Sequence, residues 1–250
     1  MNRFADQVCV VTGGGSGIGK VVAHRLASEG ANVFIFERVV DMGKAAADEI
    51  RSGGFTADAL EVDIADEESV QSGVSHVLNA AGKLDVMINC AGIAGPTNTK
   101  ILDYTTEAFD EIYQVNLRGS YLMTKYAIQP MLDQGYGRIL LYSSIGGKEG
   151  NPGMCGYAAT KSAVIGLVKG VGKEYAESGV TVNGLAPAVI RTPMVDACDP
   201  AMVDYMTARI PMQRTGTMEE AAAISAFIVS KECSFCTGFV FDISGGRATY

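Results

Sequence analysis

Short apolar, β-branched runs alternate along the chain with longer stretches whose apolar residues recur every three and four positions. The runs at 8–12, 32–37, 57–62, 84–89, 138–143, 181–185 and 239–243 predict seven strands. The stretches at 17–28, 41–52, 67–81, 106–132, 157–177 and 218–229 predict helices. Strand and helix taking turns from end to end specify βαβ units around a parallel sheet. With right-handed crossovers and a chain that starts in mid-sheet, the expected architecture is a doubly wound α/β fold. It has a seven-stranded, mainly parallel sheet, helices on both faces, and a ligand crevice beyond the carboxyl ends of the strands. No linker interrupts the alternation, so residues 1–250 read as a single domain. The one irregular stretch is 188–216, with Pro193, Pro200 and Pro211 among Met194, Met202, Met206 and Met212; its part 191–215 is expected to be a substrate lid.

Of 250 residues, 48% are hydrophobic and 19% charged, enough apolar surface for a large core and too little charge for disorder. Twenty basic against 28 acidic residues leave a net charge of −8, which argues against nucleic acid or an anionic membrane and points to a small molecule as partner. Six cysteines (Cys9, Cys90, Cys155, Cys198, Cys233, Cys236) are scattered, several within apolar runs, as reduced core thiols are, and so point to a cytoplasmic location. Cys233 and Cys236 form a C-x-x-C, but no second pair accompanies it and His24 and His76 are remote, so neither a metal site nor a redox centre is expected. The opening residues lack the form of a signal peptide, and no apolar run approaches the roughly 18 residues of a membrane span.

Between the first strand and the first helix, Thr12-Gly13-Gly14-Gly15-Ser16-Gly17-Ile18-Gly19 spaces Gly13, Gly17 and Gly19 as T-G-x-x-x-G-x-G. Glycines let the backbone turn tightly and approach a pyrophosphate, while the helix start at Ser16, Gly17, Ile18 and Gly19 offers N–H groups and a partial positive charge. The strand before and the helix after favour a dinucleotide (Rossmann) loop over an ordinary turn, and the missing G-K-[ST] ending argues against an ATPase. The second strand ends in Glu37, where a carboxylate can accept from ribose hydroxyls and would repel a 2′-phosphate, favouring NAD over NADP. Arg38 is the dissenting residue, since a guanidinium suits phosphate.

The third, fourth and fifth strands end in Asp63, in Asn89-Cys90-Ala91-Gly92 and in Ser143-Ser144, collecting polar groups at one sheet edge. Tyr157 follows, and Tyr157-Ala158-Ala159-Thr160-Lys161 puts a phenol and an ammonium on one helix face. Lowering a phenol by two to three pKa units takes about 3 to 4 kcal/mol. A cation about 4 Å away supplies roughly 4 kcal/mol at an effective dielectric of 20. Taken alone, such a pair is more often a surface contact and Ser-Ser a helix cap.

In combination, the glycine loop, Glu37, Asp63, N-x-A-G and S-x₁₂-Y-x₃-K occur in the order of the short-chain dehydrogenase/reductase family, which the sequence resembles over nearly its whole length. The resemblance implies that Tyr157 is the general acid/base, that Ser144 orients the substrate oxygen, and that Lys161 lowers the Tyr157 pKa and binds the nicotinamide ribose. It implies that Asn116, within Val115-Asn116-Leu117-Arg118-Gly119, holds a water that relays protons. Asp63 and Ile64 would hold the adenine, Asn89, Ala91 and Gly92 would line the cofactor channel, and Pro187, Ile190 and Thr192 would face the nicotinamide. Cys90 and Ala188 depart from the family pattern, which commonly has Asn and Gly there. Hydride would pass between a secondary alcohol and NAD.

Lys148-Glu149-Gly150-Asn151-Pro152, Pro187-Ala188 and the stretch 242–250 resemble a subgroup acting on sugar acids, the 2-keto-3-deoxy-sugar-acid 4-dehydrogenases. A substrate carboxylate would want a cation, for which Lys148, Arg191, Arg214 and Arg247 are candidates. An NADPH-dependent 3-oxoacyl thioester reductase is the alternative enzyme, disfavoured by Glu37 and the net charge. A catalytically silent NAD-binding regulator would not need the complete Asn, Ser, Tyr and Lys set. The family resemblance also implies a homotetramer, with Ala158, Ala163 and Gly166 permitting close helix approach and Arg247 to Tyr250 reaching a neighbouring subunit's pocket.

Overall fold

The computed structural model describes residues 2–196 and 200–250. Its strands β1 (Val8–Thr12), β2 (Asn32–Glu37), β3 (Thr56–Glu61), β4 (Val86–Asn89), β5 (Gly137–Tyr142), β6 (Val180–Pro187) and β7 (Val240–Ile243) form one sheet in the order β3-β2-β1-β4-β5-β6-β7. Every neighbouring pair is parallel. The order reverses beside β1, so β1 and β4 diverge into their connections at the edge where a ligand crevice forms.

Both faces of the sheet are covered, which is why its central strands β1, β4, β5 and β6 are buried at every position rather than alternately. Val10, Phe34 and Phe36 point into one core with α3 (Glu67–Ala81), α5 (Gly119–Asp133) and α7 (Cys155–Glu174). Cys9, Val11, Val33 and Ile35 point into the other with α1 (Gly17–Ser28), α2 (Val40–Ser52) and α10 (Met218–Ile228). The described residues also form α4 (Thr106–Ile112), the π-helical turn Tyr113–Arg118, α6 (Ile145–Glu149), α8 (Pro193–Asp196), α9 (Pro200–Thr207) and the 3-10 turns Ile101–Asp103 and Lys231–Cys233.

Two expectations need correction, and one element, α6, is not among those predicted. The continuous helix at 106–132 is α4 and α5 joined through the π-helical turn, because Asn116 reaches sideways to the chain after β4. The stretch after Ser144 begins as a single helical turn, α6, capped by the Ser144 hydroxyl, which accepts from Gly146 N–H at 3.0 Å. The irregular stretch 188–216 contains α8 and α9 and closes on itself through a parallel bridge between Ile190 and Gly216. Residues 197–199 of the expected lid, Cys198 among them, lie outside the described residues. Among the described residues, Cys9, Cys90, Cys155, Cys233 and Cys236 are free thiols, no acid, His and Cys cluster could hold a metal, and no helix is long and apolar enough to cross a membrane.

Candidate active site

The glycine loop is shaped by contacts that exclude side chains. Gly13 (φ +62) and Gly17 (φ +50) take left-handed backbone, and a Cβ on Gly19 would stand 2.3 Å from the Gly13 carbonyl oxygen. A Cβ on Gly13 would come within 3.0 Å of Ala91 Cα, so the loop lies against the chain leaving β4. Ser16 occupies the cap position of α1 without a side-chain cap bond, and Ile18 packs partly against the core beneath. Glu37 reaches over the loop: its carboxylate accepts from Gly15 N–H and from Val39 N–H, each at 3.2 Å. That leaves acceptor lone pairs for a ribose diol, and Arg38 beside it is exposed.

A chain of hydrogen bonds ties this loop to the catalytic side. The Thr12 hydroxyl donates to Asn89 Oδ1 at 2.5 Å and accepts from Ala91 N–H at 3.1 Å. Asn89 Nδ2 donates to Ser120 Oγ at 2.9 Å, and Ser120 donates to the Asn116 carbonyl at 2.6 Å. Asn89 is therefore an anchor between β1, β4 and α5, with its amide engaged on both sides. Asn116 is fully buried; its Oδ1 accepts from Ile93 N–H at 2.8 Å and its Nδ2 donates to the Ile93 carbonyl at 2.9 Å. A Cβ on Gly92 would meet Asn116 Oδ1 at 3.1 Å and Lys161 Nζ at 3.4 Å, so these three converge on one wall.

Ser144, Tyr157 and Lys161 face each other at the carboxyl ends of β4 and β5. A point one bond out from Gly146 lies 3.5 Å both from Ser144 Oγ and from the Tyr157 ring. Burial pushes the Tyr157 phenol up, and the Ser144 hydroxyl beside it pulls it part of the way back. Lys161 is buried; desolvation brings its ammonium down to about 8, and Nζ donates to the Tyr142 carbonyl at 2.7 Å. Nζ sits 5.9 Å from the centre of the Tyr157 ring, with the Tyr142 carbonyl holding it at the end of β5.

The remaining candidates are distributed around this centre. Asp63 Oδ1 accepts from Ala65 N–H at 2.9 Å, holding its own turn, and Ile64 is buried against Gly119 at the start of α5. Pro187 ends β6, Ile190 is buried at the bridge to Gly216, and Thr192 accepts weakly from Val195 N–H at the start of α8. The four candidate cations are each paired within the chain: Lys148 with Asp242, Arg191 with Asp196, Arg214 with Glu220 and Arg247 with Glu149. Arg247 and Tyr250 fold back onto α6 of their own chain instead of extending away from it, since Glu149 and Lys148 offer complementary partners there. Thr12, Ser120 and the Tyr142 carbonyl were absent from the expected set. The threonine of the T-G motif was a usable signal; a backbone carbonyl has no signature in a sequence.

Comparison with known proteins agrees with this geometry. The family model described as Enoyl-(Acyl carrier protein) reductase matches residues 13–248. A 2-dehydro-3-deoxy-L-rhamnonate dehydrogenase (NAD(+)) of Sphingomonas sp. (strain SKA58) is 40% identical over 248 residues, covering 99% of this chain and 98% of the relative. A 3-oxoacyl-[acyl-carrier-protein] reductase of Aquifex aeolicus (strain VF5) is 35% identical, with 98% of each chain covered. The crystal structure of an NAD+-bound xylitol dehydrogenase superposes with a TM-score of 0.91 at 28% identity, covering 97% of this chain and 99% of that one.

Proposed function

The chain belongs to the short-chain dehydrogenase/reductase family, and from that premise we propose that it interconverts a secondary alcohol and a ketone on a polar sugar-acid substrate with NAD. The observation that carries this reading is the convergence of Ser144 and Tyr157 on one point, with Lys161 behind them and the glycine loop alongside. Bound NAD would supply the hydride acceptor, and NADH the donor, for the carbinol carbon. Ser144 holds the substrate oxygen; its hydroxyl accepts from Gly146 N–H, so its own proton is free to point at that oxygen. Tyr157 donates its phenolic proton to the carbonyl oxygen in reduction and, as the phenolate, takes the hydroxyl proton in oxidation. Lys161 supplies positive charge to that exchange and a donor for the nicotinamide ribose.

Glu37 supports NAD, because a 2′-phosphate would be placed against its carboxylate. Gly13, Ser16, Gly17, Ile18 and Gly19 would cradle the pyrophosphate, with Asp63, Ile64, Asn89, Ala91, Gly92, Pro187, Ile190 and Thr192 lining the rest of the channel. The 40% identical relative supports a 2-dehydro-3-deoxy sugar acid as substrate class. The reading includes a single domain over 1–250, with 191–215 bordering the substrate, a cytoplasmic location and a homotetramer.

The test is NAD- and NADP-coupled turnover over sugar acids, polyols and 3-hydroxyacyl thioesters. NAD-linked oxidation of the sugar acid is expected, and Tyr157→Phe is expected to lose about 10²- to 10⁴-fold in kcat with NADH affinity kept. Preference for NADPH and a thioester, or near-normal turnover by Tyr157→Phe, contradicts it.

A further inference from the structure

Residues 244–250 grip both walls of the crevice. On one side lies α6, the turn that opens at Ser144. Its five residues include Gly146 and Gly147, and so short a helix has no stability of its own. From within, α7 supports it through Ser162 Oγ, which donates to the Gly147 carbonyl at 2.5 Å. From without, Arg247 holds it: Nε and Nη2 both donate to Glu149 Oε2, at 3.0 and 2.9 Å, and Nη2 reaches Asn151 Oδ1 at 3.5 Å. Lys148 Nζ donates to Asp242 Oδ2 at 2.9 Å and to the Tyr250 backbone carbonyl, while the Tyr250 phenol donates to the Lys148 carbonyl at 3.3 Å. The Arg247 and Lys148 side chains keep only 7% and 9% of their exposure, so these pairs are far less screened than ordinary surface charges.

On the other side lies the end of the 188–216 stretch. Met212 N–H donates to the Gly245 carbonyl at 3.1 Å. Gly245 has φ +58, and a Cβ there would stand 2.6 Å from Ile210 Cγ2; one on Gly246 would stand 3.3 Å from Pro211. Two successive left-handed glycines thus let the backbone wedge against 210–212 and return to α6 within a few residues.

We propose that residues 244–250 act as an ionic strap that sets the position of Ser144, with Arg247 as a positioning residue working through Glu149. The proposal rests on the role given to Ser144 above. A misplacement of about 1 Å in a group that must meet the reacting oxygen can cost on the order of 100-fold in rate. The inner face of this turn rests on α7, and its outer face loses one of its two ionic holds when either pair is broken.

The experiment compares Arg247→Glu, Glu149→Arg and the double exchange, which restores the pair in reverse. Hydrogen exchange of the amides of 145–151 is read on the protein alone; kcat, KM and NADH Kd are read with 2-dehydro-3-deoxy-L-rhamnonate and NAD. Each single variant is expected to speed exchange and to lower kcat by at least about 10-fold, with NADH Kd within about two-fold, and the double exchange to recover most of both. Unchanged exchange in the single variants, a double exchange no better than its parents, or faster exchange with unchanged kcat overturns the strap. If Arg247→Glu does not fold, Glu149→Gln keeps the shape but removes the charge, and wild-type exchange in it likewise overturns the proposal. A wild type inactive on the sugar acid would count against the functional reading, and the exchange data would still judge the strap.

Discussion

Lys161 is costly to bury, and that cost makes its role measurable. Desolvation lowers its ammonium from the usual 10.5 to about 8, equivalent to roughly 3 kcal/mol against the folded state at pH 7. Below pH 8 both folded and unfolded chains carry this proton and the penalty is full. Between about 8 and 10.5 only the unfolded chain keeps it, so this group makes the folded protein more stable as pH rises. In Lys161→Met the penalty is absent, though the Tyr142 carbonyl loses its donor at about 1 to 3 kcal/mol. The nucleotide-free variant is therefore expected to be at least as stable as wild type at pH 7 and to lose ground to it between pH 8 and 10, while turnover is lost. Urea denaturation of both proteins at pH 7 and pH 10 checks this; a stability difference that stays level contradicts it. Helical spacing put Tyr157 and Lys161 on one face and polarity marked the strand end at Ser144, but their reading as a site came from the family resemblance that the whole set of motifs carries. The Tyr142 carbonyl that accepts from Lys161 was not legible, since every residue carries such a group and only the packed sheet decides which one faces an ammonium.

At the level of elements, the turn from β1 into α1 works by backbone against backbone, which gives it no room to adapt. In Gly19→Ala the added methyl would fall 2.3 Å from the Gly13 carbonyl oxygen, and neither side is a flexible side chain that could yield. The loop must open, lifting its N–H groups from the phosphate position. NADH titration by fluorescence is expected to give a Kd at least about 10-fold weaker, a loss of 1.4 kcal/mol or more, with β1 and α1 still folded by hydrogen exchange. Affinity within two-fold of wild type would mean that the loop does not cradle phosphate. Elements of this kind were readable because their hydrophobic period is strong and their ends carry glycine or polar punctuation, so the seven strands and α1 match the structure closely. The π-helical turn was not, because the residues of 113–118 have ordinary helical character and the widening comes from Asn116 bonding to Ile93, 23 positions away. Nor was α6, whose glycines argue against a helix until α7 and residues 247–250 are packed around it.

For the whole molecule, the apolar surface is not spread evenly. One group gathers on 101–121, where Leu102 is 94% exposed and Ile101, Phe109, Tyr113 and Tyr121 are also exposed. A second gathers on 227–239, where Phe235 is fully exposed alongside Phe227 and Phe239, next to β7, whose outer edge has no strand partner among the described residues. Apolar patches of this kind and an open strand edge mark association surfaces. A two-fold interface joins a patch to itself, so the homotetramer proposed above would use both patches, with two-fold axes crossing at right angles so that the assembly closes. The net charge of −8 would keep such particles apart once both faces were covered. Light scattering after size exclusion is expected to give four chains for the wild type. Phe109→Asp with Tyr121→Asp should leave two, as should Phe235→Asp with Phe239→Asp, and all four substitutions together should leave one. A wild-type monomer, or either pair of substitutions leaving four chains, would show that these faces have another use.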